Sequence, residues 1–225
     1  MPKPRPYSHM ESTKSKQIIL SRIRKALHQS VDAPFSRQET EGEIYPKASD
    51  DLSVIFATEF TRLLGRFAYC PSWEDLALQA GQLIRDMGWK KVYCQESPLV
   101  RLFELQGLTD IRYTDDLSAC DVSFTACEAL VARTGTMVLS SALPHGRTAS
   151  VYAPVHVCVA LTSQLTYDIS DALTLIRQRF QGEIPSSISF ATGPSRTADI
   201  EKTLVVGVHG PREVYCLLVE DGPPQ

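Results

Sequence analysis

Pro154-Val155-His156-Val157-Cys158-Val159-Ala160-Leu161 is the stretch that most limits what this chain can become. A strand with one face in water alternates apolar and polar residues, and this one is apolar on both faces. It therefore reads as a central buried strand, with a layer of structure above it and another below. It is far short of the roughly 20 apolar residues that a membrane-spanning helix needs.

The flanking segments supply those layers. Leu52, Ile55, Phe56, Phe60, Leu63 and Leu64 give helical spacing over Asp51–Leu64, with Gly65 placed to end the helix. Arg66–Cys70 is a short strand. Ser72 is the N-cap of a helix that runs to about Met87, Asp75 nearly completes a capping box, and Gly88 fits the position after its end. Lys91–Cys94 follows as a strand, Pro98–Gln106 as a short helix and Ile111–Thr114 as a strand. Cys120–Leu130 is Ala-rich and reads as at least partly helical. Leu130–Ala132 and Met137–Ser141 flank Gly135 as a hairpin. Pro144–Arg147 is a turn with an exposed basic group. Ile169–Phe180 is a helix with Leu173, Ile176 and Phe180 inward and Arg177 and Arg179 outward, and Val214–Val219 is a last strand. Strands and helices that alternate over short links make an α/β fold with a largely parallel sheet.

Before this body, residues 1–13 have no apolar periodicity. Ser15–His28 is amphipathic, with Ile18, Ile19, Ile23, Ala26 and Leu27 on one side. Residues 29–50 read as a linker. The domain expectation is an N-terminal tail, helix and linker over 1–50 and one α/β domain over 51–225. Met1–Tyr7 is basic but no apolar run follows it, which argues against a secretory leader.

The net charge of −3 excludes a general nucleic-acid binder, which would carry a basic excess. The six cysteines are Cys70, Cys94, Cys120, Cys127, Cys158 and Cys216, and none forms a C-x-x-C pair. Zinc sites and iron–sulfur clusters use close-spaced thiolates, so the chain reads as cytoplasmic with reduced thiols, no metal site and no intrinsic cofactor. Neither G-x-G-x-x-G nor G-x-x-x-x-G-K-[ST] occurs, nor does H-E-x-x-H.

The chemistry-bearing stretch is Phe190–Glu201. An apolar run ends in Gly193-Pro194, then Ser195 and Thr197 flank Arg196, and a helix-like spacing begins. Read as strand, tight loop and helix start, it offers free N–H groups, hydroxyls and a guanidinium to a carboxylate or phosphate. Plain helix capping by Ser195 or Thr197 is the competing reading. Arg133, Arg147 and Arg196 each sit near glycine and a hydroxyl. If their loops meet at the carboxyl edge of the sheet they form one anion pocket. Ser195, His209 and Asp199 are the residue types of a hydrolytic triad, but no G-x-S-x-G elbow surrounds the serine. His156, inside an apolar strand, reads as a satisfied core histidine. His209, between Gly207 and Gly210, reads as exposed.

Taken together, Ala132–Ser141, Gly146-Arg147, Pro154-Val155-His156, Thr192–Glu201, Gly207–Pro211 and the helix Ile18–Leu27 resemble the signatures of the lactate-utilisation protein C family (LutC/YkgG, the LUD domain). The sequence departs from that pattern at Arg133, where the family usually has an acidic residue, and at Ala142–His145, where glycines are common. The resemblance implies a three-layer α/β/α sandwich like the NagB/RpiA/CoA-transferase group. It also implies a part in oxidising L-lactate to pyruvate beside iron–sulfur partner proteins, which would hold the clusters. On that reading a small anionic ligand binds in the 133–147 and 192–199 loops. Thr134, Gly135, Thr136, Arg147, Gly193, Ser195, Arg196, Thr197 and Asp199 are the expected ligand-binding residues, and His209 is a proton shuttle. A free-standing transferase or isomerase of that fold group and a non-catalytic assembly or regulatory subunit are the alternatives. Self-association is compatible with all three, and none involves membrane insertion.

Overall fold

The computed structural model describes residues 9–27, 48, 50–107, 112–198 and 204–221. Of the linker expected over 29–50, residues 29–47 and 49 lie outside them, as do Asp199 and the last four residues. The chain divides into two units, Met1–Lys47 and Ala48–Gln225. The first holds helix α1 (His9–Leu27), which begins at His9, ahead of the expected Ser15, and ends on the basic pair Arg24 and Lys25, favourable beside a helix C-terminus.

The second unit is built on a parallel sheet of six strands: β1 (Arg66–Cys70), β2 (Lys91–Cys94), β3 (Arg112–Tyr113), β4 (Val122–Thr125), β7 (Val155–Leu161) and β12 (Glu213–Val219). Their order is β1-β12-β7-β4-β2-β3. The apolar run Val155–Leu161 is central, as its composition requires, with β12 on one side (Cys216↔Cys158) and β4 on the other (Phe124↔Val157). One face of the sheet carries Val122, Phe124, Val157 and Leu217. It is covered by Leu76, Ala80 and Ile84 of α3 (Trp73–Asp86) and by Leu99 and Phe103 of α4 (Ser97–Leu105). Ser72 caps α3 by accepting from the Asp75 N–H, so local chemistry fixes where that helix begins.

The other face carries Cys158, Ala160, Cys216 and Leu218. It meets Phe56 and Phe60 of α2 (Leu52–Arg62) and a second sheet. That sheet has the order β8-β5-β6-β9, from β5 (Ala129–Val131), β6 (Thr136–Ser140), β8 (Leu165–Thr166) and β9 (Ile188–Ala191). Strands β5 and β6 are buried along their whole length. A two-sided apolar hairpin needs a further cover; after the one-turn helix α5 (Ala149–Tyr152), Ala172 and Ile176 of α6 (Ile169–Arg179) supply it. The α/β class and the largely parallel sheet are as expected. The added feature is that a four-stranded sheet lies between the parallel sheet and α6.

Four local expectations are corrected. Residues 120–130 hold β4 and the start of β5 instead of helix, because Val122–Thr125 and Ala129–Leu130 are buried at every position, as strands between two layers are. Residues 196–198 and 204–206 pair as antiparallel strands, β10 (Arg196–Ala198) and β11 (Leu204–Val206), so the described residues after Pro194 are strand where a helix start was expected, and 199–203 lie outside the described residues. At the end of α2 it is Leu64, with φ 69°, that takes the left-handed conformation in place of Gly65. On α6 the inward residues are Ala172 and Ile176, whereas Leu173 is exposed.

Candidate functional site

The loop from Thr192 to Ser195 leaves β9 and turns at Gly193 (φ 77°). A Cβ there would stand 2.5 Å from the Leu63 carbonyl oxygen at the end of α2, so both the conformation and the close approach require glycine. The Ser195 N–H donates to Pro211 O (3.0 Å), the Gly207 N–H donates to Ser195 O (2.9 Å), and the Arg212 N–H donates to Pro154 O (2.9 Å). These bonds hold the loop and the Gly207–Gly210 turn against the amino ends of β7 and β12. The expected meeting place was the carboxyl edge. The β10–β11 pair displaces it, because Ser195 spends both backbone groups on turns that precede the strands.

Gly193, Ser195 and His209 come together there on a cleft of about 270 Å³, with Thr192 and His156 also in its lining. A second cleft of about 540 Å³ is lined by Ser118, Tyr152, His209 and Arg212. The two share Val151, His209 and Gly210, so exposed His209 stands at the junction of a two-limbed crevice. Side by side, a Cβ at Gly210 would lie 2.7 Å from Ser195 Cβ, a measure of how closely the two turns pack.

Thr134, Gly135 and Thr136 reach the same loop from below. Thr136 Oγ1 is 2.8 Å from both Thr134 Oγ1 and Thr192 Oγ1. This hydroxyl chain ties the Gly135 turn to the Gly193 turn, both of them under the end of α2. The three arginines, by contrast, do not share a pocket. Arg133 Nε pairs with Asp168 Oδ2 (2.6 Å), Arg147 Nη2 donates to Ser186 Oγ (2.6 Å), and Arg196 Nη2 donates to Leu63 O (2.6 Å). Burial pushes the Asp168 carboxyl up, but the Ser170 N–H and the Arg133 guanidinium outweigh it and leave it below the ordinary value. Arg196 thus caps the carbonyl end of α2, where a cation is favourable. Thr197 lies in β10 opposite Val205.

Sequence reasoning missed a buried polar group beneath this crevice. His145, in the turn read as exposed, is 2% exposed, and its Nδ1 lies 3.0 Å from Oε1 of Glu96, itself 6% exposed. The two residues are 49 positions apart, so no local spacing announces the pair. His156 is fully buried and its Nε2 lies 2.8 Å from Thr125 Oγ1. Each imidazole is only half satisfied, since His145 Nε2 and His156 Nδ1 have no hydrogen-bond partner among the described residues. Burial, with His145 adding to it, pushes the His156 imidazole down to about 3, so the ring is neutral near pH 7.

That shift has a measurable consequence. The folded value lies below the unfolded one, so between about pH 6.5 and 3 the unfolded chain binds a proton that the native chain refuses. Stability falls as pH falls through that window. From pH 7 to 5 the His156 contribution to this loss is about 2 kcal/mol. Urea unfolding at the two pH values should show that loss in the wild type and a correspondingly smaller one in His156→Gln.

The cysteines offer no poised nucleophile. Burial pushes Cys70 to about 11 and Cys94 to about 12, and all six are free and buried. Among the described residues no group of three or more His, Cys, Asp or Glu side chains is placed to hold a metal ion, and no helix is long and apolar enough to cross a membrane.

Comparison with known proteins places this architecture. The chain is 36% identical over 111 residues to lactate utilization protein C of Shouchella clausii, a match covering 49% of this chain and about half (48%) of that one. It is 27% identical over 218 residues to lactate utilization protein C of Anoxybacillus flavithermus, covering 91% of this chain and 97% of that one. In three dimensions it is similar to the crystal structure of a DUF162 family protein from Deinococcus radiodurans. The TM-score is 0.58 at 17% identity, covering 77% of this chain and 99% of that one. The LUD domain family model matches residues 103–219, which is more than half the chain and takes in β4 to β12, both limbs of the crevice and the Gly135 and Gly193 turns. On the strength of that match, this chain is a member of the LUD domain family.

Proposed function

We propose that the chain takes part in lactate utilisation in the cytoplasm, binding a small carboxylate in the amino-edge crevice. In this reading partner proteins carry the electrons through iron–sulfur clusters. The pathway rests on the relatives, above all the one matched along nearly its whole length. The ligand site rests on one observation: Gly193 and Ser195 of the loop after β9 and His209 of the turn before β12 line a single cleft.

The geometry redistributes the roles expected from the sequence. Thr134, Gly135 and Thr136 hold the loop, since the Thr136 hydroxyl is buried and bonded on both sides. Arg196 anchors the loop to α2. The cation left for a carboxylate is Arg212, an exposed guanidinium on the larger limb with no side-chain partner among the described residues. A Cβ at Gly207 would collide with Arg212 Cγ, so glycine there lets the arginine fold across the turn. Ser195 supplies a hydroxyl, and His209, exposed at the junction, is the imidazole placed to pass a proton between ligand and solvent.

Thermal unfolding with L-lactate, pyruvate, phosphate, NAD, ATP and coenzyme A tests the ligand half. A ligand at about 100 times its Kd stabilises the native state by roughly 2.7 kcal/mol, a shift of about 5–10 °C in a chain of this size. L-lactate or pyruvate should give that shift in the wild type and much less in Arg212→Ala. Equal shifts in both proteins, or none from either acid, would remove the carboxylate site. Deletion of the gene should abolish growth on L-lactate and spare growth on glucose; unimpaired growth on L-lactate would remove the pathway assignment.

A further inference from the structure

The group that this reading leaves unused is His156. Its ring is fully buried, it lines the smaller limb of the crevice, and its Nε2 is turned to Thr125. Buried polar atoms are nearly always bonded, yet His156 Nδ1 has no partner among the described residues. Its register neighbours do not serve it. Val214 is apolar, and the Ser123 hydroxyl is given to Ala149 O at 2.9 Å. With Nε2 occupied, Nδ1 is the ring nitrogen that remains for whatever enters the cleft.

Because the imidazole is neutral, it cannot balance a carboxylate, but it does hydrogen-bond an uncharged hydroxyl or carbonyl oxygen. The cation lies on the adjoining limb. Arg212 is bonded through its backbone to Pro154, two residues before His156, and stands two residues before Val214, the register partner of His156. The crevice therefore offers a charged end and an uncharged hydrogen-bonding end on neighbouring strands, with His209 where the limbs join.

We propose that the crevice is a site for a small 2-hydroxy or 2-oxo acid, in which Arg212 takes the carboxylate and His156 Nδ1 hydrogen-bonds the oxygen on the adjacent carbon. This rests on the carboxylate reading above and adds a specificity residue to it. A site built around a buried hydrogen-bonding group discriminates strongly against an analogue lacking the matching oxygen, because the group is then left unpaired.

The test is calorimetric titration of the full chain with L-lactate, pyruvate and propionate, the last of which keeps the carboxylate and lacks the 2-oxygen. Two variants separate the ring nitrogens. His156→Gln places an amide near the position of Nε2, keeps a partner for Thr125 and loses Nδ1. His156→Asn places its amide near Nδ1. The wild type should prefer L-lactate or pyruvate over propionate by about tenfold or more. His156→Gln should bring the three within about threefold by weakening only the oxygenated acids, and His156→Asn should recover part of the preference. The ¹⁵N shift of His156 Nδ1 in the wild type should move on saturation with the preferred acid.

Three results overturn the proposal even where an acid binds. One is a folded His156→Gln that keeps the wild-type preference. Another is an unmoved Nδ1 shift at saturation. The third is equal binding of all three acids by the wild type, which leaves the carboxylate reading standing and removes only the role of His156. If no acid binds the wild type, the carboxylate reading fails and this proposal fails with it.

Discussion

Alanine in place of Gly135 should lower stability by about 3 kcal/mol. Gly135 sits between the short helical turn Ala132–Thr134 and β6 with φ 58°, a left-handed conformation that costs an L-residue about 1–2 kcal/mol. The added Cβ would also stand 2.5 Å from Phe60 N and 2.8 Å from Glu59 C, which are backbone atoms of α2 and cannot swing aside. Relieving the overlap means moving α2, whose Phe56 and Phe60 rings are fully buried against the sheet. Such overpacking adds about 1–3 kcal/mol. Calorimetry should show a fall in Tm of roughly 6–12 °C. Gly193 should behave similarly, and the loss of its turn should loosen the crevice as well as α2.

Arg179→Ala should cost about 2–3 kcal/mol although the arginine is half exposed. From the end of α6 its Nη1 reaches Oε2 of Glu128 at 2.7 Å, and Glu128 is 1% exposed. The other carboxylate oxygen, Oε1, accepts from Ser140 Oγ at 2.5 Å. Removing the guanidinium leaves a buried carboxylate with one neutral donor, which is the costly way to break an ion pair. Water already screens the arginine, so the loss falls below that of a fully buried pair. The diagnostic is the double variant. Glu128→Gln in the Arg179→Ala background removes the stranded charge and should restore most of the stability in urea unfolding. If the double variant is no more stable than Arg179→Ala, the cost is lost packing and not an unpaired charge.

These two sites also mark what can be read from the sequence. A glycine between two apolar runs announces a turn, and Ser72 with Asp75 announces a helix start, because each signal lies within four residues of its effect. The apolar run at 155–161 announces a central strand for the same reason. Arg179 reads as a solvated outer residue because its partner is 51 positions away. Glu96 and His145 are hidden likewise. The stretch from Ser195 onward departs from its local pattern for a further reason. Ser and Thr before a Thr-Ala-Asp-Ile-Glu run satisfy the grammar of a capped helix, but the backbone of Ser195 is already committed to Pro211 and Gly207. The strand Leu204–Val206 then offers Arg196–Ala198 a ladder to join. Side-chain types were legible there and chain direction was not. The predicted residues Gly193, Ser195 and His209 therefore meet at the edge of the sheet opposite to the expected one, and the polar partners beneath them came from strands that local pattern could not connect.

The most direct test of the central claim is a map of where a small acid touches the folded chain. Backbone ¹H–¹⁵N spectra titrated with L-lactate and with pyruvate would report it. Saturable shifts should concentrate at Gly193, Ser195, His209, Gly210 and Arg212, with the amides of Ser72, Thr162 and Ser163 at the carboxyl edge unmoved. Shifts confined to that opposite edge, or none at concentrations that saturate carboxylate sites, would contradict the assignment of the crevice as the site.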